Sequence, residues 1–169
     1  DGKVVVVDPR RTRTAEEASE HHFIRPGTDA LLLAAMACTI VEEGLEDTAA
    51  LAEHVNGLDE VRALVREFPP ESVADACGIE AEEIRRMARE LAAAERGAVY
   101  ARIGTCTQEF GTLASWLVDV LNVLTGNLDR EGGAMFTRAA AAQKNSSGAG
   151  GSGPAARTAA PDRSTGSRR

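Results

Sequence analysis

Aromatic side chains are scarce in this chain of 169 residues, of which four Phe, one Tyr and one Trp make up 4%. This scarcity makes an all-β sandwich less favoured than a helical or α/β fold with an aliphatic core. No segment approaches the roughly 18 consecutive apolar residues of a membrane-spanning helix, and no charged-then-apolar signal peptide precedes the first apolar run. Direct membrane insertion is therefore not expected.

Cysteine is also sparse, and its three copies form no CxxC pair that could begin a zinc or iron–sulfur site. Cys38 and Cys77 are interpreted as small buried hydrophobes and Cys106 as a free thiol, which favours a reducing, cytoplasmic compartment. We expect no metal ligand and no catalytic residue in the chain. The histidines are interpreted as surface or boundary residues, since no metal-ligand spacing connects them: His21, His22 and His54.

Charge divides the chain into two unlike parts around a net charge of −7. Residues 137–169 hold six Lys or Arg against one Asp, whereas residues 1–136 hold 13 basic against 25 acidic groups. An acidic body disfavours nucleic acid as a partner. The Ala, Gly, Ser, Pro and Arg composition of residues 137–169 predicts a disordered low-complexity tail, and residues 1–136 a folded domain.

The hydrophobic pattern predicts an α/β fold, with a Rossmann-like, open and mostly parallel sheet that has helices on both faces. Residues 4–7 read as a strand buried on both faces, and Thr14 with Glu17 as a capping box for a helix over 15–19. Further strands are expected at 22–25 and 98–103, and a loop at 104–111. Further helices are expected at 29–43, 48–55, 58–68, 71–76, 80–94 and 113–124.

The first candidate site follows the first strand, as Asp8, Pro9, Arg10, Arg11 and Thr12. Ligands of open α/β folds bind beyond the carboxyl ends of strands. A carboxylate there can accept hydrogen bonds from a guanine or a ribose, and arginines can hold a diphosphate. The alternative is a helix-capping Asp followed by solvated arginines.

The second candidate site is Gly27, Thr28 and Asp29, again after a strand and before a helix. Free backbone N–H groups at a helix N-terminus favour anions, and a carboxylate there can bind a base. The alternative is structural, because Thr28 suits an N-cap and Asp29 suits the first helical turn.

A third candidate site lies at Ile103, Gly104 and Gln108, where glycine permits close approach of a ligand and the amide of Gln108 suits the amide-like edge of a ring. A fourth segment, 124–133, contains Thr125-Gly126-Asn127 and Gly132-Gly133, which could equally be a helix end and a turn.

These four segments, taken in order over residues 1–136, resemble the molybdopterin oxidoreductase family of the dimethyl sulfoxide reductase, formate dehydrogenase and nitrate reductase type. The resemblance implies that the matched positions hold part of a molybdopterin guanine dinucleotide. The guanosine end would contact Asp8, Arg10, Thr12, Gly27, Thr28 and Asp29, and the pterin Gly104 and Gln108. One departure concerns the third motif, where Arg102 replaces a usual Gly and one extra residue precedes Gln108.

The resemblance also implies a parent oxidoreductase whose remaining domains are the partners of this chain. Those domains would supply any iron–sulfur cluster, the protein ligand of molybdenum or tungsten, and the contacts to a small-molecule substrate that the sequence leaves open. The chain begins at Asp1 without Met, so we expect an internal fragment that is inactive alone. Two alternatives stay open: a stand-alone guanine nucleotide-binding module and a non-catalytic helical interaction domain.

Overall fold

A two-stranded parallel sheet and a set of helices form the part of the chain that the computed structural model describes, residues 2–136. Strand β1 (Val5–Val7) pairs with β2 (Glu20–His22) in the register Val5 to Glu20, and the short helix α1 (Arg13–Glu17) connects them. The α/β class is thereby confirmed. The expected disordered tail, 137–169, lies outside the described residues.

Three expectations for this strand-helix-strand segment were wrong in detail. The strand is not buried on both faces, since Val4 is 51% and Val5 36% exposed. Helix α1 is capped by Thr12, whose hydroxyl accepts a hydrogen bond from the N–H of Ala15 at 3.3 Å, and not by Thr14. The second strand begins two residues earlier than expected, at Glu20.

The helix α2 (Asp29–Glu42) lies at the centre of the core, with eleven of its 14 residues buried. It packs against most of the other helices because it is apolar on nearly every face. Its hydroxyl at Thr39 stays satisfied by donating to Ala35 O at 3.0 Å. The remaining helices are α3 (Leu58–Val65), α4 (Pro70–Cys77), α5 (Ala81–Ala93), α6 (Ile103–Cys106) and α7 (Gly111–Leu124).

Helix α5 shows how sequence pattern sets orientation. Ile84, Met87 and Ala88 recur on one helical face and are buried against the core, while the opposite face carries Glu and Arg. In contrast, the helix expected over 48–55 is only a 3-10 turn, Ala49–Leu51, with no buried residue. A segment that buries no side chain gains too little packing energy to extend such a turn into a helix.

The strand expected at 98–103 is absent from the described residues. Helix α6 instead takes its last residue, Ile103, and residues 104–106 of the expected loop. The backbone of Val99 is bonded on both its N–H and its carbonyl by the side chain of Asn122, each at 2.9 Å. A side chain thus stands where a neighbouring strand would pair. Within residues 2–136 no helix is both long and apolar enough to cross a membrane.

Candidate functional site

The first motif is held against the end of β1 by backbone and side-chain bonds. Asp8 N donates to His22 O at 3.1 Å, which continues the pairing with β2. The carboxylate of Asp8 accepts a hydrogen bond from Arg10 N at 2.7 Å, and the ring nitrogen Nε2 of His21 lies 3.0 Å from Asp8 O. One Asp8 oxygen is therefore committed to shaping the turn.

The arginines of this motif extend into solvent. Pro9, Arg10 and Arg11 are exposed, and neither arginine forms an ion pair within residues 2–136. Thr12, in contrast, uses its hydroxyl as the cap of α1. The motif thus consists of a turn at Asp8, a helix cap at Thr12 and two solvated arginines, while its contact with a nucleotide stays a prediction.

The second and third motifs meet in space. The amide Nε2 of Gln108 donates to Asp29 Oδ2 at 2.8 Å and to Gly104 O at 2.6 Å. Gly27 has a φ of +90°, and a Cβ placed there would lie 3.5 Å from Gln108 Oε1. Residues 79 positions apart, Asp29 and Gln108, are therefore neighbours at the start of α2.

Gln108 also carries a polar atom without a partner. Its Oε1 is buried and accepts no hydrogen bond from any described residue. A buried carbonyl left unpaired costs roughly 1–3 kcal/mol, so most such atoms in proteins find a donor. This oxygen would be satisfied by an N–H or O–H donor from outside the described residues.

Thr28 has a structural contact different from the expected one. Its hydroxyl donates to Arg25 O at 2.7 Å and does not cap α2, while its carbonyl lies 3.7 Å from Cys77 Sγ. Ile103 is 74% exposed and contributes nothing to the core. The two carboxylates have different partners, since Asp8 accepts a hydrogen bond from Arg10 N and Asp29 accepts one from Gln108 Nε2.

A cavity of about 360 Å³ lies next to the Asp29 cluster. It is lined mainly by apolar side chains of β1, α2 and α5, by the segment 96–101, and by Thr105. Of the sequence-predicted site residues, Asp29 lines it. Thr105 was not among the predicted site residues, although its place between Gly104 and Gln108 was a usable signal.

A second cluster was missed because Glu83 lies far in sequence from Glu20 and His22. Ligand atoms of Glu20, His22 and Glu83 lie within 4.8 Å of one another, a spacing that could suit a metal ion. Arg86, however, forms ion pairs with both carboxylates. Its guanidinium, and to a smaller extent Lys3, lowers the pKa of Glu20 from 4.5 to about 2. The cluster is thus neutralised by the protein itself.

Comparison with known proteins identifies the relatives of this arrangement. The sequence matches the family described as Molybdopterin oxidoreductase over residues 1–164. It is 38% identical over 128 residues to Formate dehydrogenase H from Escherichia coli, covering 76% of this chain and 18% of that protein. It is 34% identical over 148 residues to a Nitrate reductase from Symbiobacterium thermophilum, covering 81% and 19% respectively.

A solved structure agrees with these relatives. Acetylene Hydratase from Pelobacter acetylenicus matches with a TM-score of 0.69 and 32% sequence identity, over 73% of this chain and 17% of that one. The chain thus spans about a fifth of the length of the relatives it matches.

Proposed function

The chain belongs to the molybdopterin oxidoreductase family, and from this premise we propose that residues 2–136 form part of the site that holds one molybdopterin guanine dinucleotide. The parent enzyme would be an oxidoreductase similar to formate dehydrogenase or nitrate reductase. We also propose that the parallel sheet of this chain belongs to a Rossmann-like sheet with helices on both faces. The chain itself would bind and orient the cofactor, and the other domains of the parent would complete the active site.

The cluster of Gln108, Asp29 and Gly27 is the observation that carries the proposal. A guanine or pterin edge presents N–H donors, and the buried Gln108 Oε1 is an acceptor that no described residue uses. Gly27, beside this oxygen, adopts a positive φ, and it has no side chain that would hinder a ligand approaching Gln108. The residues present therefore fit a flat, amide-like ring system.

The positive charge that follows β1 supports the proposed contact with the diphosphate of the cofactor. Arg10 and Arg11 are exposed and have no acidic partner among the described residues. Forked guanidinium groups bind phosphate oxygens in pairs of hydrogen bonds, which suits a diphosphate. The start of α2, where Asp29 lies, adds free backbone N–H groups that favour an anion.

The chemistry of the bound group stays with the parent enzyme. When bound, the cofactor supplies a molybdenum or tungsten centre that changes oxidation state, while an iron–sulfur cluster would belong to other domains. No residue of this chain is proposed as a catalytic group or as a metal ligand. We also propose a cytoplasmic location, supported by three free cysteines; cell fractionation tests this.

Calorimetric titration of the purified chain with guanosine diphosphate tests the binding role. We expect weak binding, with a Kd of about 1 mM, because the chain forms only part of the proposed cofactor site. Asp29→Asn should weaken it about tenfold, since a charged acceptor is lost. Asp75→Asn is the control, an exposed carboxylate of α4 outside the site.

Other results would favour the alternatives. A Kd near about 1 μM would indicate a stand-alone guanine nucleotide-binding module. No heat with guanosine diphosphate would contradict the proposed role and favour a helical interaction domain. Equal binding by the Asp29 and Asp75 variants would contradict the placement of the site.

A further inference from the structure

Two side-chain amides in the core bond to the backbone that leads into the third motif. Asn122 is fully buried and Asn127 is 1% exposed, and their partners lie 23 and 30 positions earlier in the chain. Asn127 belongs to the fourth segment of the sequence, 124–133, to which the proposed function gives no role. A helix does end there, with Gly126 at a φ of +66°, but that end uses the backbone N–H of Asn127 and leaves its side chain for the distant contact.

The amide of Asn122 bonds both backbone groups of one residue. Its Oδ1 accepts a hydrogen bond from Val99 N at 2.9 Å, and its Nδ2 donates to Val99 O at 2.9 Å and to Val118 O at 3.0 Å. A carboxamide carries an acceptor and two donors, so it can satisfy an N–H and a carbonyl at the same time. These bonds fix the position of Val99 relative to α7.

The amide of Asn127 holds the same segment two residues earlier. Its Oδ1 accepts a hydrogen bond from Gly97 N at 3.2 Å, and its Nδ2 donates to Thr125 Oγ1 at 3.0 Å. A Cβ added at Gly97 would lie 3.4 Å from Asn127 Nδ2 and 3.3 Å from Leu91 Cδ1, so a glycine suits this close approach. Gly97 and Val99 are thus held by two amides that belong to α7 and to its C-terminal end.

The loop that follows Val99 returns to the same helix. A Cβ added at Gly111, the first residue of α7, would overlap Cys106 O, so the end of α6 and the start of α7 are in backbone contact. Asn122 lies further along α7, roughly 16 Å from Gly111 at 1.5 Å per residue. The loop that contains the third motif is therefore attached to one helix at both of its ends.

These attachments matter because the loop itself buries little. Ile103 is 74% and Phe110 54% exposed, so apolar packing does not hold the third motif in place. Nevertheless Gln108 Nε2 reaches Asp29 Oδ2 at 2.8 Å, on the neighbouring helix α2. Because α2 packs on α7, Asp29 has a fixed position relative to α7, and Gln108 reaches it only if the loop leaves α7 at the right place.

We propose that Asn122 and Asn127 are positioning residues of the candidate site, which hold the backbone of residues 97–99 on α7 and thereby place Gln108 beside Asp29. Neither touches a ligand, and both act through the third motif. Leucine at either position would bury more apolar surface but would leave the backbone groups of the segment without these bonds. The placement of Gln108 is a property of the chain alone, whereas its consequence for the cofactor rests on the proposed function.

NMR of the isotope-labelled full chain tests the placement. The side-chain amide signals of Gln108 are assigned by their absence in Gln108→Ala. In the wild type we expect a nuclear Overhauser effect between these amide protons and the Hβ protons of Asp29, because Nε2 and Oδ2 are hydrogen-bonded. Asn122→Ala should abolish this effect. It should also speed hydrogen exchange of the Val99 amide about tenfold or more, because that amide loses its acceptor.

A matched variant separates positioning from general stability. Leu121→Ala, at the fully buried neighbour of Asn122 in α7, should lower the Tm as well but keep the Overhauser effect between Gln108 and Asp29. Loss of the effect in both variants would overturn the proposal, as would its persistence in Asn122→Ala. If Asn122→Ala does not fold, Asn127→Ala decides, since it removes a single bond to the segment and should weaken the same effect. An unchanged effect there would overturn the proposal.

Two further results keep this inference apart from the cofactor proposal. Absence of the Overhauser effect in the wild type would contradict the contact between Gln108 and Asp29 and overturn the inference. Absence of heat on titration of the wild type with guanosine diphosphate would overturn the proposed function instead. The NMR comparison of the Asn122 and Leu121 variants needs no ligand, so it decides the positioning role in either case.

Discussion

The helical side of the molecule, formed by α2 to α5 and α7, differs from the side around the strand ends, residues 8–12 and 103–108, in how its polar groups are bonded. On the helical side, Arg85, Arg86 and Arg89 of α5 each form at least one ion pair with a glutamate. At the strand ends, Arg10 and Arg11 have none among the described residues, and Gln108 Oε1 has no donor. Charges that serve the fold are neutralised within it, whereas those at the strand ends stay available to a ligand.

Burial differs between the two sides in the same way. The largest fully buried side chains include Ile40, Ile84 and Leu121, all in α2, α5 and α7. Around the third motif, Tyr100 is 76%, Ile103 74% and Phe110 54% exposed. A surface with this much exposed apolar area is typical of a site that another molecule or domain covers.

The largest expected effect separates the two sides by stability. Leu121→Ala should lower the free energy of unfolding by about 2–5 kcal/mol, because Leu121 is fully buried and a cavity remains. Ile103→Ala should change it by less than about 0.5 kcal/mol, since that side chain is exposed. Urea unfolding followed by circular dichroism measures both. Similar losses of unfolding free energy in the two variants would contradict the contrast between the two sides.

The helices of the core were predictable because their signals are local. Residues 29–43 were expected to form a helix, and α2 covers Asp29–Glu42. For α5 the expected 80–94 became Ala81–Ala93, since apolar residues at helical spacing mark the buried face directly. Gly44, with a φ of +64°, follows α2 at the position that ends a helix.

The strands and the site depended on partners distant in sequence. The segment 98–103 has strand-like composition, but a strand forms only beside another, and Asn122 bonds Val99 instead. The burial of β1 likewise depends on what covers it. The motifs predict that Asp29 and Gln108 lie near a cofactor, whereas their direct contact could not be deduced from residues 79 positions apart.

Removing the central arginine of the helical side should have the next largest effect. Arg86→Met leaves Glu20, Glu83 and Glu90 close together without their shared partner. We expect a loss of about 1–2 kcal/mol in unfolding free energy, from lost charge-assisted hydrogen bonds in a half-exposed place. Arg11→Met, at an unpaired arginine, should lose less than about 0.5 kcal/mol. Equal losses in urea unfolding would show that the ion pairs of Arg86 do not stabilise the fold.

Acid should weaken the helical side through the same cluster. The pKa of Glu20 is lowered from 4.5 to about 2, chiefly by Arg86, and those of Glu83 and Glu90 are lowered too. A lowered folded-state pKa contributes stability that is present above the unfolded value and lost as pH falls through the folded one. The Tm should therefore fall between about pH 4.5 and about pH 2, and less steeply in Arg86→Met. Parallel Tm profiles for the wild type and this variant would contradict the assignment, while Arg11→Met should follow the wild type.

Thiol reactivity should distinguish the two sides with almost no effect on stability. Cys106 of α6 is exposed, with its sulfur 3.3 Å from Ser115 Oγ, whereas Cys38 and Cys77 are buried. Burial raises the pKa of Cys38 to about 11 and also raises that of Cys77, so both lack accessible thiolate at neutral pH. In the native chain, iodoacetamide should therefore modify Cys106 alone, as mapped by mass spectrometry, and denaturant should expose the other two. Labelling should change the unfolding free energy by less than about 0.5 kcal/mol, because Cys106 contributes no buried surface. Rapid native modification of Cys38 would mean that α2 opens to solvent, and the contrast between a closed helical side and open strand ends would then fail.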